Sequence, residues 1–332
     1  MNRFQRFALL LCATAFTTLT TSVCAEEITL RGVSAFPKGM ALTDDFQRYI
    51  DMVNQTGKGV VQIRLVGGPE VTPAAEQGAA LGKGVFDVLF GPPTYYAGIF
   101  PEADAFAGEL LASAKIRAGG GEQLFDQALA KRVNGKLLAF AGGDVAIVFF
   151  TREMPRLRPD GTPDLTGLKM RSAPLWNDLF KAMGATPITI PVGEIYTGLE
   201  RGLVQGITWN LMGVIDAGWN KHLGYIVMPA AYKSSIVITM NLDKWKSIPE
   251  AARGVLAKTA VDYENALEAY YVERQAQELK KLDASGVKTF TLDGKGAEAY
   301  RKMAFDTMWA RVTSNSKVEM DLAAVKKVFY NR

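Results

Sequence analysis

Cysteine and histidine are nearly absent from this chain: its 332 residues include two cysteines and one histidine. Both cysteines, Cys12 and Cys24, fall in the first 25 residues, where Arg3 and Arg6 precede a mostly apolar run from Phe7 to Leu19 and the small or modest side chains Val23-Cys24-Ala25. That layout predicts a cleavable secretory signal, with Glu26-Glu27 opening the mature chain. The run is too short and too rich in threonine for a membrane span, and Thr21-Ser22-Val23 makes a poor approach to a lipidated Cys24. Cleavage leaves no thiol, which excludes a disulfide, a cysteine nucleophile and a thiolate metal site. His222 alone cannot build a multi-histidine metal site, although carboxylates could still hold Ca²⁺ or Mg²⁺.

Other absences narrow the chemistry. No serine stands in a Gly-x-Ser-x-Gly elbow, no glycine-rich loop ends in Gly-Lys-Ser/Thr, and no strong dinucleotide fingerprint occurs. The formal charge of +4 falls to +2 once Arg3 and Arg6 leave, and the remaining charges are interspersed. Nucleic acid is therefore excluded as an expected partner. No cofactor is expected. Ser, Lys, Asp and Glu groups could still assemble a secreted hydrolase, and an envelope sensory or interaction module is the other alternative.

What is present alternates between two periods. Leu42, Phe46, Ile50 and Val53 share a helical face ahead of a strand at 60–65; a short helix at 73–82 precedes a strand at 85–90; a helix at 124–133 precedes strands at 137–141 and 145–150. After a polar, proline-punctuated connection at 152–168, a second alternating unit follows. It has strands at 169–172, 187–190, 207–209 and 225–228, with helices at 175–183 and 194–200. Residues 235–240 read as a return crossing. Such alternation predicts parallel sheets flanked by helices. From Pro249 to about residue 282 apolar positions recur at helical spacing, as one helix of about 50 Å, a kinked helix or two in succession. The 307 residues left after removal of the first 25 exceed what one core usually holds, so two domains are expected.

Four segments occur in a telling order: Gly167-Leu168-Lys169-Met170-Arg171, Trp176 to Pro187, Glu194-Ile195-Tyr196-Thr197-Gly198-Leu199, and Gly202-Leu203-Val204-Gln205-Gly206. Together with Phe36-Pro37-Lys38-Gly39, Gly67-Gly68-Pro69-Glu70 and Gly84-Val85-Phe86-Asp87 leading to Tyr95-Tyr96, they resemble the periplasmic solute-binding proteins of tripartite ATP-independent (TRAP) transporters, DctP-like, over about residues 28 to 315. The resemblance implies a bilobal α/β fold of the periplasmic-binding-protein type, with two α/β domains joined by crossing strands and a long bridging helix. Residues 26–149 plus 236–278 would form the first lobe, and 150–235 plus 279–332 the second, after the signal at 1–25. It also implies a transport protein rather than an enzyme: it would capture a small organic acid in the periplasm and present it to TRAP membrane subunits. A monomer is expected, with a dimer left open.

Arg171 matches the family's carboxylate-gripping arginine, whose planar fork can give two parallel hydrogen bonds to one carboxylate. Asn210 could donate to a ligand oxygen and Trp209 could cover an apolar face. Tyr95, Phe36, Trp176 and Tyr196 complete the candidate ligand set, with Lys233 as a secondary source of attraction. The apolar run at 146–150, uncharged until Arg152, argues against a second basic residue. The expected ligand is thus a monocarboxylate with an apolar or aromatic body, such as a 2-oxo or 2-hydroxy acid.

Overall fold

A computed structural model describes residues 26–107, 111–142, 145–233 and 235–330. The predicted signal, with Cys12 and Cys24, lies outside these residues. In chain order the strands are β1 (Ile28–Ser34), β2 (Val61–Gly67), β3 (Val88–Gly91), β4 (Gly135–Phe140) and β5 (Ala146–Thr151). Two short ones, β6 (Arg156–Leu157) and β7 (Pro163–Asp164), pair as a hairpin. Then come β8 (Lys169–Ser172), β9 (Thr186–Thr189), β10 (Gly206–Asn210), β11 (Tyr225–Lys233), β12 (Val237–Asn241) and β13 (Lys288–Thr291).

Two large sheets result, in the orders β2-β1-β3-β12-β4 and β13-β11-β5-β10-β8-β9. Both are mixed, which corrects the expectation of parallel sheets. β12 runs antiparallel to β3 and β4, and β5 runs antiparallel to β10 and β11. The reason is topological: the chain crosses between sheets at β4 to β5 and returns at β11 to β12, and strands arriving by such crossings meet their neighbours head to tail. β5 lies wholly in the second sheet. The last helix, Leu322–Tyr330, packs on Ala103–Ala107 and Gly121–Val133.

Local chemistry explains the main elements. Helix Ala41–Thr56 buries Leu42, Phe46, Ile50 and Val53, the stripe its spacing predicts. Helix Glu250–Ala284 is a single helix of 35 residues, about 52 Å long at its ordinary rise. Its buried face carries Leu256, Ala260, Tyr263, Leu267 and Tyr271, and it packs on Ala41–Thr56, β4 and β13. Three of its side chains hold the β4–β5 crossing. Glu264 Oε1 accepts from the Phe140 amide at 2.6 Å, Tyr271 Oη lies 3.0 Å from the Ala141 carbonyl, and Gln275 Oε1 accepts from the Ala146 amide at 2.9 Å.

Tyr271 Oη also lies 3.0 Å from Asp45 Oδ2. A phenol has one proton to donate, so both contacts are satisfied together when Asp45 is protonated and donates to Tyr271. Burial pushes Asp45 up to about 6, against the pull of the Tyr271 hydroxyl, Arg48 and Arg274. The folded protein therefore holds this proton through a pH window in which the unfolded chain has released it. Its stabilising effect is present in acid and is lost as pH rises toward 6. Asp45→Asn, which keeps a donor toward Tyr271, is expected to raise stability above pH 6 by on the order of 2 kcal/mol. Denaturant unfolding from pH 4 to pH 8 checks this, and parallel pH profiles for the two proteins would refute it.

Candidate functional site

Phe36 follows β1, Tyr95 follows β3, Arg171 sits one residue from the end of β8, and Asn210 ends β10. β1 is parallel to β3 and β8 is parallel to β10, so in each sheet two carboxyl ends open on the same side. Ligands gather at such ends in α/β sheets. Turn chemistry then aims the side chains. Pro93 opens the 3₁₀ turn that carries Tyr95, and Pro174 opens the one that carries Trp176. Gly78 is fixed by close approach, since a Cβ there would stand 2.5 Å from the Tyr96 ring beside Tyr95.

Arg171 is the centre of the arrangement. β8 lies between β10 and β9, with Arg171 registered against Ile207 and Ile188, and the residue is only 4% exposed. Its Nε donates to the Ile190 carbonyl and its Nη1 to the Thr208 carbonyl, each at 3.2 Å. These two bonds fix the plane of the guanidinium. Its carbon lies 5.6 Å from the centre of the Trp209 ring. No carboxylate forms an ion pair with it among the described residues. Burial lowers the Arg171 pKa and the neighbouring Tyr95 hydroxyl opposes the shift; burial likewise raises that of Tyr95 and Arg171 draws it back. An arginine remains charged throughout, so the site holds a buried cation with donors to spare.

Two cavities meet at this residue. The inner one, of about 70 Å³, is bounded by Phe36, Tyr95, Arg171, Trp176, Trp209 and Asn210 among others, and Lys233 also reaches it. The outer one, of about 480 Å³, shares Tyr95, Arg171 and Ala173 with it and is otherwise walled mainly by proline and small apolar residues. Six of the seven candidate side chains are thus brought together.

Their freedom differs. Asn210 Oδ1 accepts from the Met212 amide at 2.7 Å, which leaves the Nδ2 group as the end able to serve a ligand, as a donor. Trp209 donates to the Met212 carbonyl at 3.1 Å and meets Phe36 and Trp219 edge-on, so it is a fixed wall. Trp176 is held edge-on against Tyr232 and lies beside Phe180.

Tyr196 is the exception. Its ring meets His222 at 5.1 Å and faces Gly218, because helix Ile195–Glu200 packs on the turn Trp219–His222. It borders neither cavity. The carbonyls of Ile190 and Thr208, which orient Arg171, have no side-chain signature in the sequence. Thr94 and Ile147 also line the inner cavity, and their positions follow only from the register of the turn and strand that carry them. Among the described residues no three His, Cys, Asp or Glu side chains are grouped to hold a metal ion.

Comparison with known proteins places this geometry. A solute-binding protein of Roseobacter denitrificans is 29% identical over 190 residues, 55% of each chain. Its structure with bound L-galactonate superposes with a TM-score of 0.75 at 18% identity, covering 92% of this chain and 99% of that one. A monocarboxylate 2-oxoacid-binding periplasmic protein of Nostoc is 26% identical over 148 residues, 43% of this chain and 40% of its own. In sequence, then, the chain aligns with about half or less of the length of these curated relatives. A TRAP transporter solute-binding protein of Bordetella bronchiseptica, crystallised as a mixed-occupancy dimer with calcium and picolinate in one site, superposes with a TM-score of 0.77 at 23% identity, covering 92% of each chain. Such likeness establishes the bilobal α/β fold. Residues 34–315 match the DctP family, a span that includes every strand after β1 and every residue around Arg171. The chain therefore belongs to the bacterial extracellular solute-binding proteins of family 7.

Proposed function

We propose that this protein captures a small organic monocarboxylate in the periplasm and presents it to TRAP membrane subunits, with Arg171 gripping the carboxylate between the lobes. One observation carries the reading: a guanidinium only 4% exposed, without an ion pair among the described residues, borders both cavities between the two sheets. A buried cation with no counter-charge is costly, and an incoming carboxylate supplies the charge it lacks. Two of its nitrogens are already oriented by carbonyls, so the rest of the fork is preorganised for the ligand.

The finer assignment is a 2-oxo or 2-hydroxy monocarboxylate. Of the two cations at the inner cavity, Arg171 and Lys233, Arg171 alone among the described residues also borders the outer one, so the reading gives the ligand one carboxylate, at Arg171. Asn210 Nδ2 and the Tyr95 hydroxyl can reach a neighbouring oxygen. The Nostoc relative is described as binding 2-oxoacids, and the Bordetella structure holds picolinate, also a monocarboxylate. Export through a cleavable signal at 1–25 and a monomeric state belong to the same proposal. Native mass spectrometry of gently purified protein is expected to find one small monocarboxylic acid retained per chain. Calorimetric titration should then rank pyruvate, benzoylformate and mandelate above malate and succinate; a dicarboxylate binding much more tightly would overturn the ligand class.

A further inference from the structure

The outer cavity differs from the inner one in size, walls and charge. At about 480 Å³ against about 70 Å³, it is the larger of the two spaces in contact with Arg171, and among the described residues that arginine is the only charged one on its wall. Both lobes build it. Pro69, Pro73 and Ala74 come from the loop after β2, and Pro174, Pro191 and Val192 come from the turns after β8 and β9. Its floor of Ala35, Ile190 and Val192 is buried, whereas the rim at Pro73 and Pro191 is exposed. A proline has no backbone N–H, so this wall offers few donors to a ligand oxygen. The inner cavity concentrates the polar partners, with the Thr94 and Asn210 side chains and the Thr208 carbonyl around Arg171.

Resting on the reading of Arg171 as the carboxylate site, we infer that the outer cavity is a second subsite, which takes the apolar tail of the same ligand. The ligand class is then a monocarboxylate carrying a chain of several carbons or an aromatic ring. Its carboxylate and adjacent oxygen face Arg171 and Asn210, and its tail runs out between the proline walls. Continuity fixes the occupant: Tyr95, Arg171 and Ala173 border both spaces, so a molecule anchored by its charge at Arg171 has the outer cavity as its nearest apolar surroundings. The inner cavity is too small for the body of such an acid, and Trp209 is committed to Phe36, Trp219 and the Met212 carbonyl. The tail therefore lies against Pro69, Pro73 and Pro191 rather than on the tryptophan.

The test is a homologous series from pyruvate through 2-oxobutanoate and 2-oxohexanoate to 2-oxooctanoate, with phenylpyruvate, titrated calorimetrically into the full-length mature protein. Affinity is expected to rise roughly fourfold for each methylene added, until the cavity is filled. In Ala74→Trp the rise is expected to vanish, so that 2-oxohexanoate binds no better than pyruvate to the same variant. That ratio does not depend on how much of the sample is folded. Gly193→Trp offers a second route, since a Cβ there meets no atom within 4 Å, and the same flattening is expected. A flat series in the wild type, with pyruvate bound and Arg171→Ala abolishing it, would overturn the tail subsite alone. A rise that survives in both tryptophan variants would also overturn it. Failure of every acid to bind would overturn the Arg171 reading and this inference with it.

Discussion

Arg171→Ala is expected to weaken binding of a short 2-oxo acid by between roughly 30-fold and a few thousandfold, the range for truncating one partner of a buried charge pair. Much of that loss is the cost of leaving the carboxylate buried without its counter-charge. Arg171→Lys should recover only a part. One ammonium cannot satisfy the Ile190 and Thr208 carbonyls, which now take the Nε and Nη1 protons, and also present a planar pair of donors to the ligand. Calorimetry on the three proteins, each with its thermal melt recorded, separates binding from folding. Equal affinity in wild type and Arg171→Ala would exclude the proposed grip.

The second large effect is expected at Arg311, on helix Gly294–Thr313. Its Nε lies 2.9 Å from Asp104 Oδ2, and its Nη1 donates to the Pro174 carbonyl and stands 3.9 Å from Asp178. Asp104 is 2% exposed, and its Oδ1 has no hydrogen-bond partner. Removing the arginine leaves that carboxylate uncompensated, which costs about 3 kcal/mol or more. Burial already pushes Asp104 up to about 6 despite Arg311; without the arginine it rises further. Protonation then relieves the penalty, so Arg311→Ala should be most destabilising above pH 6 and approach wild type as pH falls. Urea unfolding at pH 5 and pH 8 checks the sign, and an equal loss at both values would refute it. Adding Asp104→Leu is expected to restore part of the stability at pH 8, since no buried charge then remains.

The legible parts of this chain are those with long or sharply bounded patterns. Pro249 and the apolar spacing that follows mark a helix that runs without a break, and Lys169-Met170-Arg171-Ser172 stands as a strand between turn signals. β1 is not singled out by periodicity, because Gly32 interrupts it; a Cβ there would stand 3.1 Å from the Ile63 and Phe46 side chains, which would have to give by a few tenths of an ångström. Helices Ala103–Ala107 and Ser113–Ala118, of five and six residues, are too short for a helical period to register. Strand direction is carried by topology rather than by side-chain pattern, which is why both sheets contain unanticipated antiparallel pairs. Arg171 could be picked out by its neighbours in sequence. The carbonyls that orient it could not, since every residue has one. Tyr196 follows Gly193 of the outer cavity wall by three residues, but lies on the flank of its helix that faces His222.

Glu264, Tyr271 and Gln275 tether the strap between the sheets to a rod about 52 Å long. A jaw that swings on this strap must therefore either flex the rod or slip its tethers, and the two leave different marks. Flexing keeps the Phe140 and Ala146 amides shielded from deuterium through every cycle of grasp and release, whereas slipping exposes both at once, so the pace of their exchange gauges how freely the jaws gape when empty.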